Sequence, residues 1–188
     1  MIRLDIANTI IREGWISIDI EYKSNIRIDI SKEGLPFSDN EVDAIYSSHT
    51  LEHIYPDRVD FVLSEFYRVL KPGALVRIVV PDFVIAMNAY MKGDFNFLRD
   101  KAIPLPGCIE SPLQHLISWC HSYYFGIDNT RKFGHVTGFD KDTVELLLKR
   151  AKFININRME FAVCSEIFND CDLSSHKECS LYMEGKKL

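Results

Sequence analysis

Three predicted strands of this chain end in side chains that could take part in chemistry. Asp19 and Asp29 close two short apolar segments, and the polar stop Ser47-Ser48-His49 follows a third. A carboxylate can accept two hydrogen bonds from a diol, and hydroxyl and imidazole groups both donate and accept. Because ligands of open α/β sheets bind beyond the carboxyl ends of the strands, these residues predict a binding site at one edge of a sheet.

Two histidines that follow the predicted strand Val42 to Tyr46, His49 and His53, are the candidate catalytic residues. Histidine has an unperturbed pKa near neutrality, so His53 could orient a substrate or act as a general base. An equally good interpretation is that Glu52 and His53 only begin a helix and bond to the backbone. Three further histidines could be bases but are expected at the surface or in packing: His115, His121 and His135. The sequence therefore does not decide which residue is catalytic.

The stretch from Leu35 to Phe83 is predicted to form a strand, a helix and a second strand. Val42 to Tyr46 is apolar and partly β-branched, which is typical of a strand buried on both faces. From Asp57 to Leu70 apolar residues recur at helical spacing and predict an amphipathic helix on the sheet. Lys71-Pro72-Gly73 is expected to stop this helix, because proline breaks the hydrogen-bond ladder and glycine tolerates a left-handed exit. A buried strand from Ala74 to Val80 follows.

The N-terminal part predicts an abbreviated half of the sheet. Strands are expected at Ile2 to Ile6, Trp15 to Asp19 and Ile26 to Asp29, and Ser31 to Asn40 has the composition of a loop. Parallel neighbours normally need a crossover of about a dozen residues, usually a helix, and these connections are too short. Either the faces are sparsely covered or some pairing differs from a standard doubly wound sheet. A bare face would invite a partner subunit.

Regular periodicity fails between residues 93 and 135. A helix is expected after Pro81-Asp82 and through Tyr90, and another near Leu113 to Tyr124, within a segment rich in proline, glycine and aromatic residues. Long irregular segments in compact domains are usually functional or disordered, and the aromatic content speaks against disorder. We therefore predict that residues 93–135 form a lid or substrate-recognition insertion. An insertion that covers the core, or packs against a twin subunit, explains the pattern equally well.

Regular elements return at Phe139. Asp140 is a predicted helix N-cap, and Phe139 and Val144 have the spacing of a hydrophobic staple. The remaining predicted segments are a strand at Phe153 to Glu160, a polar excursion at Glu166 to Lys177 and a last strand at Ser180 to Gly185.

Length and composition predict one domain over residues 1–188, with a core of ordinary size. The net charge of -5 argues against a broad nucleic-acid surface, and no apolar run approaches the roughly 20 residues of a membrane span. Five cysteines without a CxxC pair indicate reduced thiols and a cytoplasmic location. No metal is expected, because Cys171, His176 and Cys179 lack an evident fourth ligand.

The run from Leu35 to Phe83 carries a family resemblance. Asp43 lies at the fourth strand, Leu51-Glu52-His53 follows that strand, and Arg68-Val69-Leu70-Lys71-Pro72-Gly73 leads to the fifth. In these places the chain resembles class I S-adenosylmethionine-dependent methyltransferases, most closely the short bacterial kind often found among polysaccharide-biosynthesis enzymes. The last glycine of the family's turn is Ala74 here.

The resemblance implies a Rossmann-like α/β sheet of order 3-2-1-4-5-7-6, with the last strand antiparallel, and S-adenosylmethionine as cofactor. In the family, the donor's amino-acid part lies on a turn after the first strand, and an acidic residue after the second holds the ribose hydroxyls. The third strand end meets the adenine, and the fourth lies beside the sulfonium. On this sequence the implied cofactor-binding positions are Asp5, Ala7, Asn8, Thr9, Asp19, Ile20, Asp29, Ile30, Ser47, Ser48 and His49.

The turn after the first strand is where the sequence departs from the family. No glycine occurs before Gly14, and the Thr9 side chain could fill the space of the methionine moiety. One hypothesis is a methyltransferase that acts on a small molecule or a glycan precursor. The alternative is a catalytically silent binding or scaffolding subunit that has lost the donor site. A nucleotide-sugar or NAD binder is a weaker third, because no G-x-G-x-x-G opens a helix.

Overall fold

The computed structural model describes residues 1–7, 12–20, 23–101, 111–125 and 131–188, with the backbone alone described at 123–125 and 131–133. One seven-stranded sheet contains β1 (Arg3–Ile6), β2 (Ile16–Asp19), β3 (Ile26–Arg27), β4 (Val42–Ser48), β5 (Leu70–Pro81), β6 (Ile154–Met159) and β7 (Ser180–Lys186). Strand β7 lies between β5 and β6 and is antiparallel to both. The predicted order 3-2-1-4-5-7-6, with the last strand antiparallel, is confirmed.

Helices and a small hairpin complete the described part of the chain. The helices are α1 (Pro56–Val69), α2 (Phe83–Lys92), α3 (Phe95–Lys101), α4 (Pro112–Ser118) and α5 (Lys141–Arg150), and the hairpin strands are Tyr123–Phe125 and Arg131–Phe133. None of the described helices combines the length and the apolar character needed to cross a membrane.

Strand β4 is longer than predicted. Ser47 and Ser48, which were expected to stop the strand, pair with Ile78 and Val79 of β5. Strand β4 has hydrogen-bonded neighbours on both sides, and this pairing outweighs the turn preference of the serines. The polar stop therefore begins at His49.

The exit from α1 also differs from the prediction. Leu70, directly after the helix, already has extended backbone and begins β5. Lys71-Pro72-Gly73 does not cap the helix; it lies in β5, at the place where the pairing with β4 shifts register. Lys71 Nζ donates instead to Asp43 Oδ1 at 2.8 Å.

The first half of the sheet is abbreviated, as predicted. Among the described residues no helix connects β1, β2 and β3, although the three strands are parallel. Asn25 Oδ1 accepts hydrogen bonds from the backbone N–H and the hydroxyl of Ser17, each at 2.9 Å. The N–H of Ala7 donates to the carbonyl of Ile18 at 2.7 Å. These bonds hold the strand ends together where crossover helices would otherwise lie.

The two faces of the sheet are covered by different parts of the chain. The apolar stripes of α1 and α5 are buried on one face. On the other face, Phe168 and Cys171 pack against Tyr46 and Tyr182. The segment 160–179, which includes the predicted polar excursion, therefore covers a face of the sheet for which the sequence predicted no covering element.

A buried ion-pair network attaches this covering segment to the sheet. The side chain of Arg77 is 0% exposed and donates to Asp172 Oδ1 at 2.9 Å and to Glu184 Oε1 at 2.8 Å. Asp172 Oδ2 accepts from the N–H of Ala162 at 2.9 Å, and Glu184 Oε2 accepts from the hydroxyl of Ser165 at 2.6 Å. One guanidinium thus joins β5 and β7 to residues 162–172.

Residues 93–135 contain more regular structure than predicted. Helix α3 was not predicted, and α4 is shorter than the helix expected over Leu113 to Tyr124. Helices α2, α3 and α4 share an apolar cluster that includes Ala86, Leu98 and Trp119. Whether the segment is an insertion within a single domain remains a prediction.

Asp140 caps α5 as predicted, and its removal is expected to lower stability. Its Oδ1 accepts a hydrogen bond from the N–H of Thr143 at 2.8 Å. We expect Asp140→Ala to lower the free energy of unfolding by about 0.5–2 kcal/mol, measured by urea denaturation. Asp142→Ala, at a side chain that is 90% exposed in the same turn, should change stability by less. Equal losses in the two variants would contradict the capping role.

Candidate functional site

The carboxyl ends of β1, β2 and β4 border a cleft of 440 Å³. Ligand sites of proteins commonly have volumes of roughly 300–1,000 Å³, so the cleft has room for a small molecule. The residues that line it include Ala7, Ile18, Asp19, Ile20, Ile28, Asp29, Ile30, Ser31, His49, Thr50 and His53. Six positions predicted from the family resemblance are thus brought together: Ala7, Asp19, Ile20, Asp29, Ile30 and His49.

Two residues at the floor of the cleft have unusual backbone conformations. Ala7 directly follows β1 with φ 55°, and His49 directly follows β4 with φ 51°. This left-handed region is uncommon for residues with a Cβ and costs energy, and such strain is concentrated at functional sites. The conformation turns the chain sharply at the ends of two neighbouring strands.

Asp19 stands at the end of β2, with apolar residues around it. Its backbone carbonyl accepts hydrogen bonds from the N–H of Ile28 at 3.0 Å and from the hydroxyl of Ser24 at 3.4 Å. Ile18 and Ile30 are buried on the cleft wall. The cleft therefore combines apolar walls with one carboxylate that belongs to a fixed strand end.

Asp29 also borders the cleft, but its carboxylate stabilises a turn. Oδ1 accepts from the N–H and the hydroxyl of Ser31 at 3.1 and 2.6 Å, and Oδ2 lies 2.8 Å from Lys32 Nζ. Burial by itself would raise the pKa of Asp29, but the bonds from Lys32 and Ser31 lower it overall. The Asp29 carboxylate is thus ionised and already hydrogen-bonded.

Other predicted cofactor-binding positions lie away from the cleft or outside the described residues. Asp5 is buried and forms an ion pair with Arg12. Ser47 and Ser48 are buried in β4 and do not line the cleft. Two further predicted positions, Asn8 and Thr9, lie outside the described residues.

A second cavity, of 420 Å³, lies on the other side of His49. Its walls come from α3, α4, the chain near the hairpin and the segment before β7. The lining residues are His49, Pro81, Asp100, Lys101, Ser118, Trp119, Ser122, His135, Ser175, His176 and Cys179. The indole N–H of Trp119 is buried and has no hydrogen-bond partner in the part of the chain that the structure describes. Among the residues that the structure describes, His49 borders both cavities.

His49 is held between a serine and a second imidazole. Its Nε2 lies 2.8 Å from Ser180 Oγ, and its ring stacks on that of His176 with 3.7 Å between ring centroids. Burial, followed by repulsion from neighbouring histidines, lowers the pKa of His49 to about 3. His49 is therefore uncharged at neutral pH.

Glu52 lies next to His49, in the turn Leu51–His53. The residue is 1% exposed, and burial raises the pKa of Glu52 to about 8. Its Oε1 lies 3.3 Å from Nδ1 of His49. At neutral pH the favoured state is therefore a protonated carboxyl beside a neutral imidazole.

The remaining histidines occupy different surroundings. His53 lines the first cleft and His135 the second cavity, and burial lowers the pKa of both, that of His135 to about 4. His115 is buried in α4, whereas His121 is exposed. His176 lines the second cavity but was considered only as a metal ligand from the sequence, because nothing local indicates that it lies beside His49.

The cysteines considered as metal ligands do not group together. Cys171 packs in the cluster around Tyr46, whereas Cys179 packs in the cluster around Trp119. The four cysteines that the structure describes, Cys120, Cys164, Cys171 and Cys179, are free thiols. Burial raises the pKa of Cys171 to about 12 and keeps this thiol protonated.

Comparison with known families gives a match over part of the chain. Residues 5–78 match a family model described as a methyltransferase domain. These residues include the end of β1, all of β2 to β4, α1 and most of β5. A comparison with curated proteins gives no match.

Several solved structures have a similar fold over the whole chain. An S-adenosylmethionine-dependent methyltransferase from Archaeoglobus fulgidus gives a TM-score of 0.57 at 16% identity, with 99% of this chain and 86% of that chain covered. One from Methanosarcina mazei gives 0.58 at 16% identity, with 100% and 92% covered. Haemonchus contortus phosphoethanolamine N-methyltransferase 2, in complex with S-adenosyl-L-methionine, gives 0.51 at 12% identity, with 99% and 48% covered. Likeness at these identities shows the fold.

Proposed function

Because this chain has the fold of class I S-adenosylmethionine-dependent methyltransferases, we propose that it binds S-adenosylmethionine and methylates a small molecule or a glycan precursor. The observation that carries the proposal is the pair of cavities that meet at His49. A methyl transfer needs a donor and an acceptor held in line with water excluded, and two adjoining cavities support this proposal because each could hold one of the two molecules.

The residues of the first cleft fit the donor. A nucleoside has a flat apolar base and a ribose diol, and the cleft offers Ile18, Ile28 and Ile30 as walls and the Asp19 carboxylate as an acceptor. When bound, S-adenosylmethionine supplies an electrophilic methyl group on a positively charged sulfur. The left-handed turns at Ala7 and His49 support the same assignment, because they bend the chain around the floor of the cleft.

His49 suits a position beside a sulfonium. A protonated imidazole there would repel the positive charge, and the lowered pKa of His49 avoids this. Its bond with Ser180 and its stacking on His176 fix the ring orientation. We therefore propose that His49 positions the reactants as a neutral hydrogen-bonding group and does not act as a general base.

The second cavity is proposed to hold the acceptor. The indole N–H of Trp119 and the side chain of Lys101 can donate hydrogen bonds there, and the histidine rings can donate or accept. A small polar molecule that presents hydrogen-bond acceptors would satisfy these groups.

We further propose a cytoplasmic location, which the free thiols support. We also propose self-association, for which the exposed Met87 and Met91 of α2 offer an apolar surface.

Calorimetric titration with S-adenosylhomocysteine tests the donor site. We expect saturable heat at one ligand per chain, with NADH as the control ligand giving none. A silent subunit that has lost the donor site would give no heat even at millimolar ligand, and this outcome would remove the enzyme assignment.

Asp19→Ala is expected to weaken S-adenosylhomocysteine binding by about 1–3 kcal/mol, since it removes the proposed acceptor for the ribose hydroxyls. Asp142→Ala is the matched control, because that carboxylate lies on α5 and is 90% exposed. Calorimetry on both variants gives the comparison. Unchanged affinity in Asp19→Ala would exclude Asp19 from the site.

A further inference from the structure

Glu52, His53 and His135 converge at the wall between the two cavities. His53 lines the first cleft and His135 lines the second cavity. One potential ligand atom from each of the three side chains lies within 4.8 Å of those of the other two. Two imidazoles and one carboxylate form a donor set that suits zinc and the neighbouring divalent transition metals.

The hydrogen bonds of the two histidines determine which ring nitrogen is available. Nδ1 of His53 lies 2.9 Å from the carbonyl oxygen of Gly134, and Nδ1 of His135 lies 2.7 Å from that of Trp119. Because a carbonyl oxygen only accepts, both Nδ1 atoms carry the proton and both Nε2 atoms keep a lone pair. Metal-binding histidines characteristically donate the far N–H to a carbonyl or a carboxylate in this way.

The carboxyl group of Glu52 lacks the partners that its burial requires. The residue is 1% exposed, and neither side-chain oxygen has a hydrogen-bond partner among the residues that the structure describes. Nδ1 of His49 lies 3.3 Å from Oε1, but its geometry does not make a hydrogen bond. A buried polar group without partners is unfavourable, and a bound cation would supply the missing interaction.

Backbone contacts hold the three side chains in place. The N–H of Val136 donates to the carbonyl of Glu52 at 2.8 Å, next to the bond between His53 and Gly134. A Cβ at Gly134 would lie 2.3 Å from Ser122 Oγ, so the glycine allows the backbone at residue 134 to lie close to Ser122. The turn Leu51–His53 and the chain at 134–136 are thus joined without any ion.

We propose that Glu52, His53 and His135 form a binding site for one divalent transition-metal ion, with the Glu52 carboxylate and both Nε2 atoms as ligands and further coordination positions open. The metal set considered from the sequence contained two cysteines and none of these residues. If the proposed methyl transfer is correct, the ion lies where an acceptor oxygen enters, which makes chelating diols and hydroxy acids the expected substrates. This consequence rests on the proposed function, whereas ion binding does not.

Cobalt titration tests the site without any activity assay. The chain is treated with EDTA, exchanged into metal-free buffer and titrated with Co²⁺, whose visible absorption bands report imidazole and carboxylate coordination. We expect the bands to saturate at one Co²⁺ per chain and to disappear when Zn²⁺ is added. Absence of both the bands and calorimetric heat with about 1 mM Zn²⁺ would overturn the proposal.

Variants at the three ligands assign the bound ion to this place. His53→Gln, His135→Gln and Glu52→Gln should each weaken Zn²⁺ binding at least about 100-fold, because changes even to groups that only support a ligand cost 10- to 100-fold. His121→Gln, at an exposed histidine, is the matched control and should bind like the unaltered chain. Thermal melts confirm folding of each variant. Wild-type affinity in folded His135→Gln and Glu52→Gln would overturn the proposal.

The same preparations separate this proposal from the proposed function. Uptake of S-adenosylhomocysteine without metal binding overturns the metal site alone. Metal binding without uptake of S-adenosylhomocysteine supports the metal site and removes the methyltransferase assignment.

Discussion

Arg77→Met is expected to lower the free energy of unfolding by about 3–5 kcal/mol, since it leaves buried carboxylates without their cation. Asp172 should be the carboxylate most affected, because its side chain is 2% exposed and both of its oxygens accept hydrogen bonds from Arg77. Glu184 retains only its bonds from Ser165. Urea denaturation followed by circular dichroism measures the loss.

The same substitution should loosen the segment 160–179. Because Arg77 joins β5 to Asp172, its loss removes a buried attachment of this segment to the sheet. Trypsin cleavage at the exposed Lys177 should then become faster. Arg150→Met is the matched control, since Arg150 is 58% exposed and pairs with a half-exposed Asp60; its effect should stay below about 1 kcal/mol. Equal losses in the two variants would contradict the role of the buried network.

In Glu52→Gln, the free energy of unfolding is expected to rise by about 3–4 kcal/mol between pH 5 and pH 7. The reason is the lowered pKa of His49, to about 3, and of His135, to about 4. In the unfolded chain both imidazoles have a pKa near 6.5, so they carry protons at pH 5 and have lost most of them at pH 7. In the folded chain both imidazoles stay neutral throughout this interval. The unfolded state therefore binds more protons, and stability increases as the pH rises.

The unaltered chain should show a smaller rise, about 1–2 kcal/mol, because Glu52 opposes it. The pKa of Glu52 is about 8 in the folded chain and about 4.5 in the unfolded chain, so above about pH 4.5 unfolding releases its proton. The contribution of Glu52 to the free energy of unfolding therefore falls as the pH rises. Between pH 7 and pH 8, below the range in which unfolded thiols ionise, the unaltered chain should lose stability and Glu52→Gln should not. Urea denaturation in EDTA, which excludes bound metal, measures both curves; parallel curves would contradict the raised pKa of Glu52.

Much of the first cleft could be predicted from local sequence signals. Apolar segments that end in Asp19 and Asp29 place two carboxylates at a common sheet edge, whatever their final contacts. The left-handed turn at His49 could not be predicted in this way, because no glycine or asparagine marks it. The extension of β4 through Ser48 depended on hydrogen bonding to strands that are distant in sequence.

The second cavity could not be predicted, because its residues come from segments without a shared periodicity. Phe95 and Phe97 alternate as in a strand, yet α3 begins there, and the one local signal is Asp94, whose Oδ1 accepts from the N–H of Phe97 at 3.1 Å. His176 and Trp119 meet the cavity only through tertiary packing. No local sequence pattern identifies site residues of this kind.

The Arg77 network illustrates the same limit. A single arginine within the apolar strand LVRIVV indicates a buried partner, because an unpaired buried cation is too costly. Its partners Asp172 and Glu184 lie 95 and 107 residues further along the chain, and nothing local selects them among the other acidic residues. Hence the covering role of the segment 160–179 was missed, although the sheet beneath it was predicted correctly.

A crystal structure of the chain grown with saturating S-adenosylhomocysteine tests the donor site most directly. We predict density for the nucleoside in the cleft at the ends of β1, β2 and β4, with the ribose hydroxyls hydrogen-bonded to Asp19 and the adenine against Ile30. Ordered solvent in that cleft, or a nucleoside bound elsewhere on the chain, would contradict the proposed donor site.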